Sequence, residues 1–333
     1  MKSKSVIDLG SAYTKIYKAD ADVVLYEPTL IAINGGDYKH PAGIGKEAAA
    51  LIGKTTETTR LIYPVSGSDI VDKKALTVLI TAFLKKIKEP FELKPSVYLS
   101  VNLGITREQM AEFCEVFNKA GVYDVKFIES PVLTALSATE TISENRLFTV
   151  IDLGGVQTTI AALTIGGGVI SGLSARLGGN DLTRSIVTEA ENSLNLSIGF
   201  SQAEALKLSV ASFCDGDMTK AVALGKDAQS GKTRSINISA ADIYPCVKAY
   251  ADKVINLTRA ILQKLPKDLE DDVVKYGVIL TGGGSKIYGI EDYFSKELNL
   301  RAVVLEEGEL SAVTGGGVAI KNEKSLPDIT LKL

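Results

Sequence analysis

The sequence predicts an α/β protein built from two related domains, on three observations. The pentapeptide Val-Ile-Asp-Leu-Gly occurs at residues 6–10 and again at 150–154. In each copy a β-branched run enters an Asp and a Gly-containing turn, and a second apolar strand follows, at 15–17 and 159–163. The order strands, helices, strands, helices then repeats from each copy, which is the signature of a duplicated α/β unit.

The first half opens as a β-meander, with strands at 6–9, 15–17 and 23–25 that Pro28 and the run 30–33 continue. Helices follow at 73–88 and 107–119, with a strand at 96–101 between them. Thr106 and Gln109 form a capping box, Met110, Phe113, Cys114 and Phe117 share one face, and Gly121 stops the second helix. A strand at 125–128 leads into a helix carrying Pro131, and a polar stretch at 143–146 separates the halves. In the second half, Gly166–Gly168 reads as a hairpin turn. Helices are expected at 182–194 and 240–265, the latter with Val247, Ala251, Val254, Ile255, Thr258, Ile261 and Leu262 at helical spacing and Pro266 past its end. The domains expected are 1–143 plus 316–333, and 144–315.

A hydrophobic fraction of 45% and a formal charge of -3 describe a soluble chain, and the balance argues against a nucleic-acid partner. No apolar run approaches the roughly 18 residues of a bilayer span. Met1 leads directly into the first strand, so neither a signal peptide nor an anchor helix is expected. Cys114, Cys214 and Cys246 lack metal-type spacing and read as reduced thiols of a cytoplasmic protein. His40 is the single histidine, which argues against a His-dependent triad or a His-ligated zinc.

An Asp at a strand end beside a tight turn is suited to a phosphate and its metal. Gly10, Gly154 and Gly155 let the backbone approach a phosphate closely; Ser11 and Thr14 add hydroxyls, and Lys15 a point charge. Asp8 and Asp152 are the expected pair around a hydrated Mg²⁺. A third piece, 278–285, carries a strand into Gly282, Gly283 and Gly284, then Ser285 and Lys286 at a helix start, where a base or sugar lies against bare backbone.

With these residues in hand, the chain resembles the actin-like ATPases, most closely the bacterial MreB-type filament proteins, over nearly its whole length. Asp8–Thr14, including Ala12 and Tyr13, looks like the family's first phosphate loop, and Tyr26-Glu-Pro-Thr29 like the segment after it. Asp152–Thr158, with Val156 and Gln157, is similar to the second phosphate loop. Gly178 and Gly179 resemble the ribose-side segment, Glu204 and Lys207 the helix that contacts adenosine, and 280–290 the adenine-side loop. The segment 312–317 looks like the one that returns the chain to the first domain.

The resemblance implies an actin-like fold, two duplicated α/β domains around a nucleotide cleft, ATP and Mg²⁺ as ligands, and head-to-tail self-assembly. Two departures stand out. Val156 replaces a third glycine and is strained if that position needs a positive φ. Ser130 occupies the slot of the family's water-orienting Glu, and Glu129 lies one position early, so hydrolysis is expected to be slow or absent unless Glu129 serves. A surface ion pair is the plain alternative for Glu204 and Lys207, a solvated edge-strand lysine that for Lys15, and ordinary meander turns that for the two Asp turns.

Two other functions compete with a filament: a non-polymerising nucleotide-binding adaptor of the PilM type, and a small-molecule kinase, for which no convincing Asp base is found. Phe91 and Leu93 are the expected site of any membrane contact, opposed by Glu92. The tail, with Leu326, Ile329, Leu331 and Leu333, is open to two readings: a strand added to a neighbour's sheet, or a segment lying on its own domain.

Overall fold

The first pentapeptide ends β1 (Lys2–Leu9), whose alternation sends Ile7 and Leu9 to one face of a sheet and Val6 and Asp8 to the other. In the computed structural model, which describes residues 2–88, 93–139, 146–214, 216–322 and 326–332, β1 is central. It pairs antiparallel with β2 (Tyr13–Lys18), and β2 pairs with β3 (Asp22–Pro28). On its other side β1 runs parallel to β9 (Leu93–Val101), and β9 parallel to β10 (Asp124–Glu129). The meander ends at Pro28. β4 (Ile31–Asn34) joins β5 (Gly43–Ile44) and β6 (Thr59–Ile62) in a separate sheet, and Gly45 N–H donating to the Leu30 carbonyl extends the β4–β5 pairing. A short hairpin, β7 (Val65–Ser66) with β8 (Asp69–Ile70), follows α1 (Lys46–Ala49) and β6.

Ile7, Leu9, Val97, Leu99, Val101 and Phe127 pack under α2 (Lys73–Ile87) and α3 (Arg107–Lys119). Asp72 caps α2 by accepting from Ala75 N–H at 2.9 Å, and the Thr106/Gln109 capping box of α3 is fully formed. α4 (Ser130–Ser137) and α10 (Ser311–Lys321) pack together. A Cβ on Gly315 would stand 1.7 Å from the Leu133 carbonyl oxygen, and one on Gly316 2.4 Å from Val6. The glycine triplet is therefore a close-packing device. The tail folds back on its own unit: α11 (Leu326–Ile329) precedes Leu331, whose N–H donates to the Phe127 carbonyl at 2.8 Å.

The second pentapeptide lies in β11 (Phe148–Leu153), followed by β12 (Thr158–Thr164) and β13 (Gly168–Ala175), with Gly168 at φ 74° in the turn. β11 runs parallel to β17 (Val278–Thr281), and β17 parallel to β18 (Ala302–Val304). The two large sheets read β10-β9-β1-β2-β3 and β18-β17-β11-β12-β13, so each pentapeptide strand holds the same place in the same order. The helices here are α5 (Gly179–Leu194), α6 (Phe200–Val210), α7 (Ala240–Leu262), α8 (Glu270–Tyr276) and α9 (Ile290–Leu298). A small sheet joins β14 (Leu196–Ser197), β15 (Lys220–Asp227) and β16 (Thr233–Ser239).

The chain divides into two compact units, Met1–Arg146 with Leu163–Ser174 and Glu309–Leu333, and Leu147–Ala162 with Ala175–Gly308. The return to the first unit thus falls at 309, ahead of the expected 316, since a break at 316 would cut α10 in its middle. Among the described residues no helix is long and apolar enough to cross a membrane.

Candidate functional site

The turn between β1 and β2 is closed by Gly10 N–H donating to the Tyr13 carbonyl at 3.1 Å. A Cβ on Gly10 would lie 2.9 Å from that oxygen, so glycine is needed here for close approach. Thr14 is fully buried, and its Oγ1 lies 2.8 Å from Thr29 Oγ1, which donates to the Gly10 carbonyl at 2.7 Å. Thr29 N–H also donates to the Ala12 carbonyl. Thr14 therefore braces the turn from behind instead of reaching outward. Ser11 Oγ accepts from Gly67 N–H at 2.8 Å, tying the turn to the β7–β8 hairpin. Tyr13 stands half-exposed and edge-on to Tyr26 at 5.0 Å. Register pairs Asp8 with Lys15, and the ammonium meets Asp8 Oδ2 at 2.7 Å. Burial pushes the Tyr26 phenol up, and the Glu309 carboxylate adds to the effect.

The second turn repeats this construction. Gly154 N–H donates to the Gln157 carbonyl at 3.0 Å, and a Cβ on Gly154 would be 2.6 Å from that oxygen. Thr158, the counterpart of Thr14, is buried and donates to the Leu177 carbonyl at 2.6 Å. The non-glycine residues with positive φ among those described are Asp22, Asn195, Asn299 and Glu307, so Val156 carries none of the strain a left-handed position would impose.

Helix α5 begins against this turn, three residues before the expected start. Gly179 N–H donates to the Gly154 carbonyl and Asn180 N–H to that of Gly155, at 2.9 and 2.7 Å. A Cβ on Gly178 would strike Gly155 O at 2.5 Å, so that glycine lets the helix start seat on the turn. Lys207, on α6, meets three acceptors: Gly179 O at 3.1 Å, Thr183 Oγ1 at 3.0 Å and Glu204 Oε2 at 2.7 Å. Glu204 and Lys207 are therefore more than a surface pair; they hold α6 to the α5 start.

The third piece abuts the second turn. Register pairs Asp152 with Thr281, and Gly282, at φ 79°, lies so close that a Cβ would be 2.3 Å from Asp152 Oδ1. Ser285 is buried and donates to the Gly282 carbonyl at 2.7 Å. A Cβ on Gly284 would meet Leu153, whereas one on Gly283 would meet open space. Lys286 is exposed. Tyr250, which no sequence motif marked, lies beneath the turn with its hydroxyl 3.5 Å from Thr158 Oγ1. Burial pushes its phenol up to about 12, with the Asp152 charge contributing. Thr158 is legible in principle: both copies read Asp-Leu-Gly-x-x-x-Thr, and Thr14 holds that place in the first. Thr29 lies outside both copies and carries no such signal.

The hydrolytic candidates part company. Register joins Asp8 to Ser100 and Ser100 to Ile128, whereas Glu129 pairs with Val101, so alternation puts Glu129 on the sheet face opposite Asp8. Burial pushes the Glu129 carboxyl up, opposed by a hydrogen bond from Gly104 N–H. Ser130 is only 6% exposed, and its hydroxyl has no hydrogen-bond partner among the described residues. Phe91 lies outside the described residues, as does the side chain of Leu93. His40 is exposed, 2.9 Å from Asp37. All three cysteines are free thiols, and burial pushes Cys246 up to about 11.

Among the described residues no group of three or more His, Cys, Asp or Glu forms a standing metal site. Each turn carries one carboxylate, Asp8 at the first and Asp152 at the second.

The profile of the MreB/Mbl protein family matches residues 2–328. The chain is 27% identical over 321 residues to the cell shape-determining protein MreB of Escherichia coli strain K12, covering 95% of this chain and 92% of that one. It is 27% identical over 324 residues to the cell shape-determining protein Mbl of Bacillus subtilis strain 168, covering 96% of each. Among solved structures, MreB5 of Spiroplasma citri bound to ADP superposes with a TM-score of 0.92 at 24% identity, over 98% of this chain and 99% of that one. A MamK double helical filament matches with a TM-score of 0.81 at 14% identity, over 97% and 99%. The fold is actin-like, and the chain belongs to the MreB/Mbl protein family.

Proposed function

We propose that this protein is an ATP-binding, cytoplasmic, actin-like cytoskeletal protein of the bacterial type that polymerises head to tail. The observation that carries the reading is the twin turn: Gly10 and Gly154 each close it through the same N–H to carbonyl bond, with Thr14 and Thr158 each buried behind it. Such a turn presents backbone N–H groups to phosphate without a Cβ in the way. In this reading the phosphates contact Gly10–Tyr13, Lys15 and Gly154–Gln157, Thr14 braces the first turn from behind, and Asp8 and Asp152 hold the accompanying Mg²⁺. The adenosine lies along Gly178, Gly179, Glu204 and Lys207, with Gly282–Lys286 on the base side. Solved relatives with ADP and with AMPPNP support the nucleotide, and the MamK filament supports self-association.

Hydrolysis is slow in this reading. Ser130 offers a neutral, buried hydroxyl, and Glu129, the candidate water-orienting carboxylate, stands on the sheet face opposite Asp8. Phosphate release that is lost on Glu129→Ala would assign that role to Glu129.

Right-angle light scattering on adding Mg-ATP, with Mg-ADP as control, tests the central claim. A rise with ATP supports the polymer. A flat trace across salt and pH, with nucleotide still bound, would replace it with the non-polymerising adaptor.

A further inference from the structure

Lys207 has no proton left to offer a ligand. An ammonium carries three N–H donors and no acceptor. Three acceptors of the protein itself stand around this one: Gly179 O at 3.1 Å, Thr183 Oγ1 at 3.0 Å and Glu204 Oε2 at 2.7 Å. The side chain is 12% exposed, and a Cβ on Gly179 would stand 3.2 Å from its Nζ, so a bare glycine makes room for it. Glu204 and Lys207, three residues apart, share one face of α6; Gly179 and Thr183, four apart, share one face of α5. All four belong to the same compact unit.

Thr183 decides how Glu204 is held. It is fully buried, and its one hydroxyl proton has two acceptors in reach, Gly179 O at 2.9 Å and Glu204 Oε2 at 2.5 Å. Lys207 already donates to Gly179 O, which leaves the shorter contact, to the carboxylate, for the hydroxyl proton. Glu204 Oε2 thus receives two donors, one of them charged. Oε1 accepts from none among the described residues, on a side chain 34% exposed.

We propose that Thr183 is a positioning residue, which fixes Glu204 with Oε1 toward the nucleotide sugar, so that the site selects a ribonucleotide by accepting from a ribose hydroxyl. The ligand edge of the cluster is then an acceptor only. It suits the O–H donors of a ribose and repels a 2′-phosphate. Lys207 backs the carboxylate and does not touch the nucleotide.

The proposal rests on the adenosine placement above and deepens it. Gly179, which touches Lys207, stands on the sugar side of that placement, and Gly282–Lys286 on the base side. A carboxylate already pinned by two hydrogen bonds loses little further freedom when a third partner arrives. A deoxy sugar would leave Oε1 desolvated with nothing to accept from, and that is the basis of discrimination. Removing the Thr183 hydroxyl releases one Lys207 proton and one of the two bonds on Oε2. The carboxylate then turns to take the ammonium with both oxygens, and Oε1 is lost to the ligand.

The test is calorimetric binding of ATP, 2′-deoxy-ATP and 3′-deoxy-ATP to the full-length protein. The parent should bind ATP about tenfold more tightly than at least one deoxy analogue, the value of one hydrogen bond to a charged acceptor. Thr183→Val, of the same shape without the hydroxyl, should remove that preference, and Thr183→Ser should keep it. A role confined to packing would weaken all three nucleotides alike and leave their ratio unchanged. Glu204→Ala, at a partly exposed position, tests the claim without touching the buried threonine and should also abolish the preference. A folded Thr183→Val or Glu204→Ala that retains the parent's ratio, a Thr183→Ser that loses it, or a parent indifferent to both deoxy analogues would overturn this proposal alone. A parent that binds none of the three would overturn the adenosine reading with it.

Discussion

Gly282 shows how much a single missing Cβ decides. It sits at φ 79° with Asp152 Oδ1 and the Leu153 carbonyl within 2.7 Å of where a Cβ would be. Gly282→Ala is expected to cost about 1–3 kcal/mol through overpacking at a left-handed position, read by chemical denaturation, and to weaken ATP-analogue binding by displacing Asp152. Val156 behaves in the opposite way. It has no positive φ to relieve, so Val156→Gly should lower stability by about 0.5–1 kcal/mol through the unfolded state, not raise it. Glu129 supplies a pH prediction. Burial raises its folded pKa above the unfolded one, so the charged form is penalised once the pH exceeds the unfolded value of about 4.3. Glu129→Gln should therefore be more stable than the parent at pH 7, and that advantage should vanish as the pH falls below the unfolded value; denaturation midpoints from pH 4 to 8 check it.

Local signals and packing can be separated at the level of helices. The ends of α3 follow from residues within the helix: Thr106 and Gln109 exchange their hydrogen bonds at one end, and the chain turns at Gly121 after the other. Thr106→Ala should cost about 1 kcal/mol and leave nucleotide binding unchanged. α10 is different. Its Gly-Gly-Gly run looks like a helix breaker, yet it is helical, and Leu133, Val6 and Tyr17 leave no room there for any side chain. Gly315→Ala would place a Cβ on the Leu133 carbonyl, and the expected loss of about 3 kcal/mol or more should appear as insolubility or a much lower melting temperature. The meander likewise ends at Pro28, and the pairing of β4 with β5 and β6 in a separate sheet is set by segments up to about thirty residues away.

In the molecule as a whole, the duplicated sheet order accounts for two turns of the same construction. If those turns hold phosphate and its metal as proposed, assembly should require Mg-ATP, and Asp8→Asn or Asp152→Asn should shift its Mg²⁺ requirement upward, measured by scattering across a Mg²⁺ titration.

The sequence by itself determined the α/β class, the duplication and the glycines of the turns, because these depend on local backbone demands repeated in the same heptapeptide. It also carried the strands and helices whose periodicity and caps lie within a few residues. Only the tertiary structure decided what the polar residues do. Thr14 and Thr158 became internal braces, Lys207 a tie between two helices, and Glu129 a carboxyl on the far face from Asp8. Tyr250 reached the second turn from 92 residues away in sequence. Such roles arise from contacts between distant segments, and a side chain's partner there is set by strand register and helix seating, which no local pattern encodes.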